Sequence, residues 1–254
     1  GSPRSAKSWG VGFWIWKLAY KYPGIQIFYS RYQEHGLIQL RDIWSKVSVH
    51  FPDYLHASWN AKDECYDFPN GKWIGDVYTG SRVFLSPIKS TEHESVHSKY
   101  KGKTLAVVII EEAAEVPHVN YLGLKERLSQ SRTPDGKPCH YPLKIVLVHN
   151  CVDEDHWIAK EFPLGADGDT CTCEGHRHIR ADLYSNSQNL GPAVMAGYEA
   201  DYPPGHTLRR TVMEGKRGVT LVGQPVYGTA FRKPIHVDQA VRYTPFYPVL
   251  EGWD

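Results

Sequence analysis

The segment that most constrains the fold is a short apolar run that ends in two carboxylates. Residues 105–112 read LAVVIIEE, with Ala106 to Ile110 apolar and Glu111 and Glu112 directly after them. Because the run is short, rich in β-branched residues and apolar on both faces, it predicts a central strand of a covered parallel sheet. Open α/β sheets bind ligands at the carboxyl ends of their strands, which places the two acids at a binding edge. A purely structural interpretation also exists, in which the acids begin a helix and favour its dipole.

The first eight residues are similar to a phosphate-binding loop. They read GSPRSAKS, which differs only at Ala6 from the pattern G-x-x-x-x-G-K-[ST]. In such a loop backbone N–H groups point at the phosphates, the lysine reaches the β- and γ-phosphates, and the last hydroxyl binds magnesium. A degenerate pattern also occurs in loops that bind nothing, but here an acidic strand supplies the complementary part of one nucleotide site. The residues predicted to contact the nucleotide are Gly1, Ser2, Pro3, Arg4, Ser5, Ala6, Lys7 and Ser8.

Length and charge limit the possible classes of protein. With 254 residues, the chain can bury a sizeable core as one large α/β domain, or as one domain plus a small extra one. Its 29 basic and 28 acidic residues give a net charge of +1, so any grip on nucleic acid must come from local patches. No stretch approaches a membrane span, and no membrane partner is expected. Five cysteines without a regular framework are typical of a reducing compartment.

Hydrophobic periodicity predicts the elements around these segments. The predicted helices are Ser8–Lys21, Leu37–Val47 and Val116–Gln130, and the predicted strands are Ile25–Ser30, Arg82–Ile88 and Lys144–Asn150. Residues 51–103 are expected to form short strands and turns, and Thr133–Lys137 a turn. Arg31, at the end of a strand, is either a sensor of nucleotide or of a neighbouring subunit, or a surface arginine. The run of Lys99, Lys101 and Lys103 either faces DNA or lies in a solvated loop.

Four potential metal ligands cluster in the second half of the chain. Cys171, Cys173, His176 and His178 follow the pattern C-x-C-x-x-H-x-H. Structural zinc sites usually have wider spacing within each ligand pair and an element between the pairs. A loop with reduced cysteines is therefore the favoured interpretation, and a zinc site is the alternative.

Four features occur in a specific order along the chain. The phosphate loop is followed by KYPGIQIFYSR, and YKG leads into the acidic strand with its EEAAEV. Next come YLGLKERL at Tyr121–Leu128, the strand ending in Asn150, and DHWIAKEF at Asp155–Phe162. The last feature runs from Tyr184 through RRTVMEGKRG at Arg209–Gly218 to VYGTAF. Over nearly its whole length the chain thus resembles the ATPase part of the large terminase subunit of tailed phages, the motor that pumps DNA into capsids.

The resemblance implies a role for each matching residue. Lys7 would hold the β- and γ-phosphates of ATP, and Ser8 would bind Mg²⁺. Glu111 stands where the family usually has an aspartate that serves the metal. Glu112 stands where the family has the catalytic glutamate that polarises the attacking water. Asn150 matches the end of the coupling motif, which senses the γ-phosphate, and Arg31 would act with it as a sensor.

The chain departs from the family pattern at several positions. Ala6 replaces a glycine, and its Cβ crowds a place where backbone must approach phosphate. Glu111 is one methylene longer than aspartate, and the segment around Asn150 reads VHNC instead of small hydroxyl residues and proline. Arg4 is the candidate catalytic arginine of the loop, although it lies three residues before the lysine where many members have theirs four before.

The fold that the resemblance implies is a P-loop NTPase of the α/β class, with a mainly parallel sheet flanked by helices. Residues 1–165 would form the ATPase core without its first strand, and residues 166–234 a small lid or linker subdomain. Residues 235–254 would form a linker and the first strand of an RNase H-like nuclease domain. The resemblance thus implies a chain that is truncated at both ends. Asp254 would bind metal only in a full-length nuclease, because two-metal cleavage needs several carboxylates, so we expect that this chain does not cut DNA.

The function that the resemblance implies is ATP hydrolysis coupled to translocation of double-stranded DNA into a capsid. The motor would be a homo-oligomeric ring that works with a portal protein and a small terminase subunit in the cytoplasm of the host cell. Two alternatives remain open. Another DNA-handling P-loop ATPase, such as a helicase-like enzyme, would unwind strands. A non-hydrolysing binding module would lack magnesium-dependent ATP binding.

Overall fold

The helices and strands follow the predicted order along the chain. A computed structural model describes residues 6–33, 35–88 and 103–217. The helices are α1 (Lys7–Lys21), α2 (His35–Ser48), α3 (His118–Lys125), α4 (Trp157–Glu161), α5 (Pro192–Asp201) and α6 (Arg209–Val212). The strands are β1 (Gln26–Ser30), β2 (Ser58–Asn60), β3 (Cys65–Asp67), β4 (Trp73–Ile74), β5 (Val77–Tyr78), β6 (Arg82–Leu85), β7 (Val107–Glu111) and β8 (Lys144–Val148). Short 3₁₀ helices cover Asp53–Leu55, Ala113–Glu115 and Tyr184–Asn189.

Some predictions fall on residues outside this description. These residues are Gly1, Ser2, Pro3, Arg4, Ser5, Lys99, Lys101 and Asp254. The division of the chain at residues 165 and 234 stays a prediction. Among the described helices, none combines the length and the apolarity that crossing a membrane requires.

Six of the described strands form a mixed sheet in the order β2-β3-β6-β1-β7-β8, while β4 and β5 form a separate hairpin. The strands β6, β1, β7 and β8 pair in parallel. At one edge β3 pairs antiparallel with β6, and β2 pairs antiparallel with β3. The predicted mainly parallel sheet is therefore confirmed, and the short strands expected before residue 89 supply its antiparallel edge.

The strand predicted from the apolar run is β7, which lies between β1 and β8. All five of its residues are buried. Val107 and Ile109 belong to one apolar cluster, and Val108 and Ile110 belong to another. Because successive side chains of a strand point to opposite faces, this alternation means that both faces of β7 are covered. The first cluster includes α1 and α2 residues, and the second includes residues from the 3₁₀ turn after β7, α3 and α4.

An aromatic cluster joins α1 to the sheet. Trp16 is 1% exposed. Its ring stacks on Trp44 of α2 and on Phe51, each at a centroid distance of 4.7 Å. Phe68 meets the Trp16 ring edge-on at 5.3 Å. Such tilted and offset pairs are the favoured arrangements of aromatic rings, and they fix α1 on this face of the sheet.

The predicted helix Val116–Gln130 is wrong at both ends. Val116 is extended with ψ 124°, and Pro117 is extended with ψ 143°, so the helix begins only at His118. Residue 116 precedes a proline, and steric clash with the proline ring disfavours helical backbone there. At the other end, Leu128 forms a bridge to Leu105 beside β7, and this pairing takes the chain out of the helix. Two predicted strands are also shorter than expected, since β6 ends at Leu85 and β8 ends at Val148.

Candidate nucleotide-binding site

The start of α1 meets the end of β7. Lys7 and Ser8 are the first two residues of α1, and Glu111 is the last residue of β7. The Ser8 hydroxyl donates a hydrogen bond to Glu111 Oε2 at 3.0 Å, across 103 residues of sequence. The two segments that the sequence suggested as halves of one site are therefore in direct contact.

Glu111 is a buried carboxylate whose two oxygens have different donors. The residue is 1% exposed. Oε1 accepts a hydrogen bond from the Tyr29 hydroxyl at 2.9 Å, while Oε2 accepts the bond from Ser8. Burial raises the pKa of Glu111 above its ordinary value, and the hydrogen bonds from Tyr29 and Ser8 oppose that rise. The site thus supplies oxygen ligands of the kind that Mg²⁺ prefers, in a number that leaves room for phosphates and water.

Lys7 connects the start of α1 to the segment after β8. Its ammonium group donates to Asn150 Oδ1 at 3.1 Å. Burial lowers the pKa of Lys7 from its ordinary value, and the nearby charge of Glu112 acts in the opposite direction. Burial also lowers the pKa of His149 to about 4, so the imidazole beside Asn150 is neutral near pH 7. Near Asn150 the Lys7 ammonium group therefore presents a positive charge, whereas the His149 imidazole does not.

Glu112 follows the strand in an unusual backbone conformation. Its φ of 50° and ψ of 44° lie in the left-handed region, which non-glycine residues adopt rarely and often at functional sites. Arg31 Nη2 lies 3.6 Å from Glu112 Oε1, and Arg31 also donates to Gln39 Oε1. The Arg31 side chain is 16% exposed, so it is not an isolated surface arginine. The Glu112 side chain is more accessible, with 35% of its surface exposed.

Ala6 sits at the N-terminal boundary of α1 with left-handed backbone, φ 56° and ψ 20°. Its position in the phosphate-loop pattern is normally a glycine, which adopts this conformation without steric cost. No acidic residue lies in the first turn of α1. The positive end of the helix dipole is therefore not neutralised from within the helix, and this favours an anion at that end.

The structure brings together Lys7, Ser8, Glu111, Glu112, Asn150 and Arg31 at one edge of the sheet through the contacts above. Their chemical roles stay predictions. Sequence reasoning missed Tyr29. A signal was available, because Tyr29 lies near the carboxyl end of a predicted buried strand, where a polar tip can reach the acids of a parallel neighbour.

The alternative zinc site gains no support from the described part of the chain, where no group of three or more histidines, cysteines or acids is arranged to hold a metal ion. The His178 ring contacts the Asp169 carbonyl oxygen at 2.9 Å. The His176 ring packs on Phe162 at a centroid distance of 5.0 Å. Cys171 and Cys173 are free thiols.

Comparison with known proteins gives structural relatives alone. No protein-family model and no curated protein sequence matches the chain. The large terminase of a thermophilic bacteriophage matches with a TM-score of 0.65 at 16% identity, over 96% of this chain and 52% of that one. The chain has the fold of large terminase ATPases. It spans about half the length of that phage protein.

Two further terminase structures share this fold. The same thermophilic phage terminase in complex with ATP-γ-S gives a TM-score of 0.60 at 14% identity, over 86% of this chain and 46% of that one. The large terminase ATPase domain of Thermus phage P74-26 gives 0.50 at 14% identity, with 85% of each chain covered. The second match shows that the similarity extends over most of an ATPase domain.

Proposed function

We propose that this chain is the ATPase of a phage DNA-packaging motor, which hydrolyses ATP and couples hydrolysis to translocation of double-stranded DNA. The observation that carries the proposal is the hydrogen bond between Ser8 and Glu111, because it joins the phosphate-loop pattern to the acidic strand. The terminase fold supports it, since one structure with this fold is a complex with ATP-γ-S. Glu111 and Ser8 would hold Mg²⁺, which would neutralise developing phosphate charge during transfer.

The residues of the site divide the chemistry among themselves. Lys7 would exchange its bond to Asn150 for the β- and γ-phosphate oxygens, and Asn150 would then be free to contact the γ-phosphate. Glu112 would orient the attacking water and accept a hydrogen bond from it. Arg31 contacts both Glu112 and Gln39 of α2, so it would transmit the presence of a nucleotide at the site to α2. Arg4 remains the candidate for stabilising phosphate charge from within the loop.

The proposed setting of the motor rests on the same resemblance to phage large terminases. We propose that the chain acts as a homo-oligomeric ring with a portal protein, a small terminase subunit and duplex DNA, in the cytoplasm of the host cell. The net charge of +1 requires that any contact with DNA come from local basic groups. Lys103 and Arg132, which line one cavity of about 420 Å³, are such groups.

The test of this function is magnesium-dependent binding and turnover of ATP by the purified chain, with and without duplex DNA. ATP binding that Mg²⁺ strengthens, together with turnover that needs Mg²⁺ and increases with duplex ends, would support a packaging ATPase. Strand separation in an unwinding assay would favour the helicase-like alternative. Absence of magnesium-dependent ATP binding would favour the non-hydrolysing module and contradict the proposal.

Lys7→Ala is expected to weaken nucleotide binding by a factor of roughly 10 to 100, because charge-assisted hydrogen bonds contribute about 1.5–3 kcal/mol. Calorimetric titration with ATP-γ-S and Mg²⁺ measures the change. Lys17→Ala is the matched control, since Lys17 is an exposed lysine on the same helix. Equal affinity of both variants would remove Lys7 from the site.

Ala6→Gly is expected to strengthen ATP binding by on the order of 1 kcal/mol, the scale of a local backbone mismatch. Glycine has no Cβ to crowd the phosphates and adopts the left-handed backbone of residue 6 freely. The affinity is measured by the same titration. Ala159→Gly in α4 is the control and should bring no gain in affinity, only a loss of stability of about 1 kcal/mol. Unchanged or weaker binding by Ala6→Gly would show that the loop is already adapted to alanine.

A further inference from the structure

Of the two described hydrogen-bond donors to Glu111, Ser8 has a part in the proposed function and Tyr29 has none. It lies on β1 in register with Ile109 of β7, two residues before Glu111 on that strand. Residues two apart on a strand point to the same face. Tyr29 is fully buried, and its hydroxyl lies 2.9 Å from Glu111 Oε1. The register of the two strands therefore brings the phenol to the carboxylate.

The hydrogen bond from Tyr29 restricts the orientation of the Glu111 carboxylate. A glutamate carboxylate has one more rotatable bond than an aspartate carboxylate, so it is less restricted in where its oxygens point. Tyr29 holds Oε1 and thereby leaves Oε2 directed at the Ser8 hydroxyl, 3.0 Å away. Because Tyr29 donates to Oε1 while Ser8 donates to Oε2, the carboxylate is held in one orientation despite the extra rotatable bond of glutamate.

We propose that Tyr29 is a positioning residue, which holds the Glu111 carboxylate so that Oε2 and Ser8 face the magnesium ion of a bound nucleotide together. The inference rests on the proposed function. A phenol suits the task because it donates a hydrogen bond without adding charge. A lysine or arginine in its place would neutralise the carboxylate and weaken its attraction for a cation.

A phenol stays protonated near pH 7, so it donates this hydrogen bond as a neutral group. Packing alone would not require the hydroxyl, because a phenylalanine fills the same space on β1. The ring of Tyr29 therefore serves packing, and its hydroxyl group serves to position Glu111.

Tyr29→Phe removes only that oxygen. Binding of ATP-γ-S is measured by calorimetry at a series of Mg²⁺ concentrations and again in excess EDTA. We expect the Mg²⁺ concentration for half-maximal binding to rise about tenfold, since a hydrogen bond to a charged group is lost. Nucleotide affinity in EDTA should be unchanged, which also shows that the variant is folded.

Tyr20→Phe is the matched control. The Tyr20 hydroxyl donates to the Leu55 carbonyl oxygen at 2.6 Å, near the opposite end of α1 from Ser8. Twelve residues of helix separate Tyr20 from Ser8 by about 18 Å at 1.5 Å per residue. Loss of this hydroxyl should leave the Mg²⁺ dependence of binding unchanged.

A double-mutant cycle distinguishes positioning from a general loss of structure. In the Glu111→Asp background Tyr29→Phe should have little further effect, because the shorter carboxylate has less freedom to be restrained. The proposal is overturned if Tyr29→Phe binds with the parental Mg²⁺ dependence, or if it loses equal affinity with Mg²⁺ and with EDTA. Absence of magnesium-dependent binding in the unsubstituted chain would be a different result, since it would overturn the proposed function and this inference with it.

Discussion

Glu112→Gln is expected to lower ATP turnover by a factor of at least about 100, the smaller end of what a positioned acid–base group contributes. Glutamine keeps the shape of the side chain, and its amide oxygen can face Arg31, so the ion pair at 3.6 Å is replaced by a contact between the guanidinium and a neutral amide. It cannot take a proton from water. Nucleotide binding should therefore persist while hydrolysis is lost, which single-turnover kinetics and a binding titration measure separately.

Glu115→Gln is the matched control for that experiment. Glu115 lies three residues later, at the end of the short 3₁₀ helix, and is exposed. The same loss of charge there should leave turnover within about twofold of the parental value, as surface substitutions usually have small effects. Parental turnover by Glu112→Gln would instead show that another group orients the water.

The acidic strand could be predicted because its signal is local. Five apolar residues in a row require cover on both faces, and the structure buries every residue of β7. The order of the strands beside β7 could not be predicted from a local sequence pattern. Which strand pairs with β7, and in which register, depends on the packing of whole layers, and no short pattern in one sequence encodes that.

The contacts of the site show the same limit of local patterns. Lys7, Ser8 and Glu111 were recognisable from motif spacing, whereas Tyr29 depends on its register with Ile109. A tyrosine in a buried strand has many potential partners, and only the sheet decides among them. The conformation of Ala6, by contrast, agrees with the sequence argument, since the pattern has glycine where the backbone is left-handed.

The helix predicted over Val116–Gln130 is present as His118–Lys125, and its predicted ends were wrong for physical reasons. Apolar periodicity continued through Leu128, but Pro117 disfavours helical backbone at the residue before it. The pairing of Leu128 with Leu105 then competes with further helical hydrogen bonds. Tertiary pairing overrode a local preference, and only the steric effect of the proline was readable in advance.

Trp16→Ala is expected to lower the free energy of unfolding by about 4 kcal/mol, within the range for deleting a large buried aromatic side chain. The ring contacts Trp44, Phe51 and Phe68, so its removal leaves a cavity and ends several aromatic pairs at once. Since native domains are stable by only about 5–15 kcal/mol, this is a large share of the total. Urea unfolding, followed by circular dichroism, measures the loss.

Trp16→Phe and Trp73→Ala separate the possible causes. Phenylalanine keeps a ring in the stack and removes the indole N–H, which has no hydrogen-bond partner among the described residues. It should therefore lose less than half as much stability as alanine. Trp73 on β4 is about half exposed, and its removal should cost about 1 kcal/mol. If Trp16→Ala cost no more than Trp73→Ala, α1 would not depend on this cluster for its place on the sheet, and the position of Lys7 and Ser8 would need another explanation.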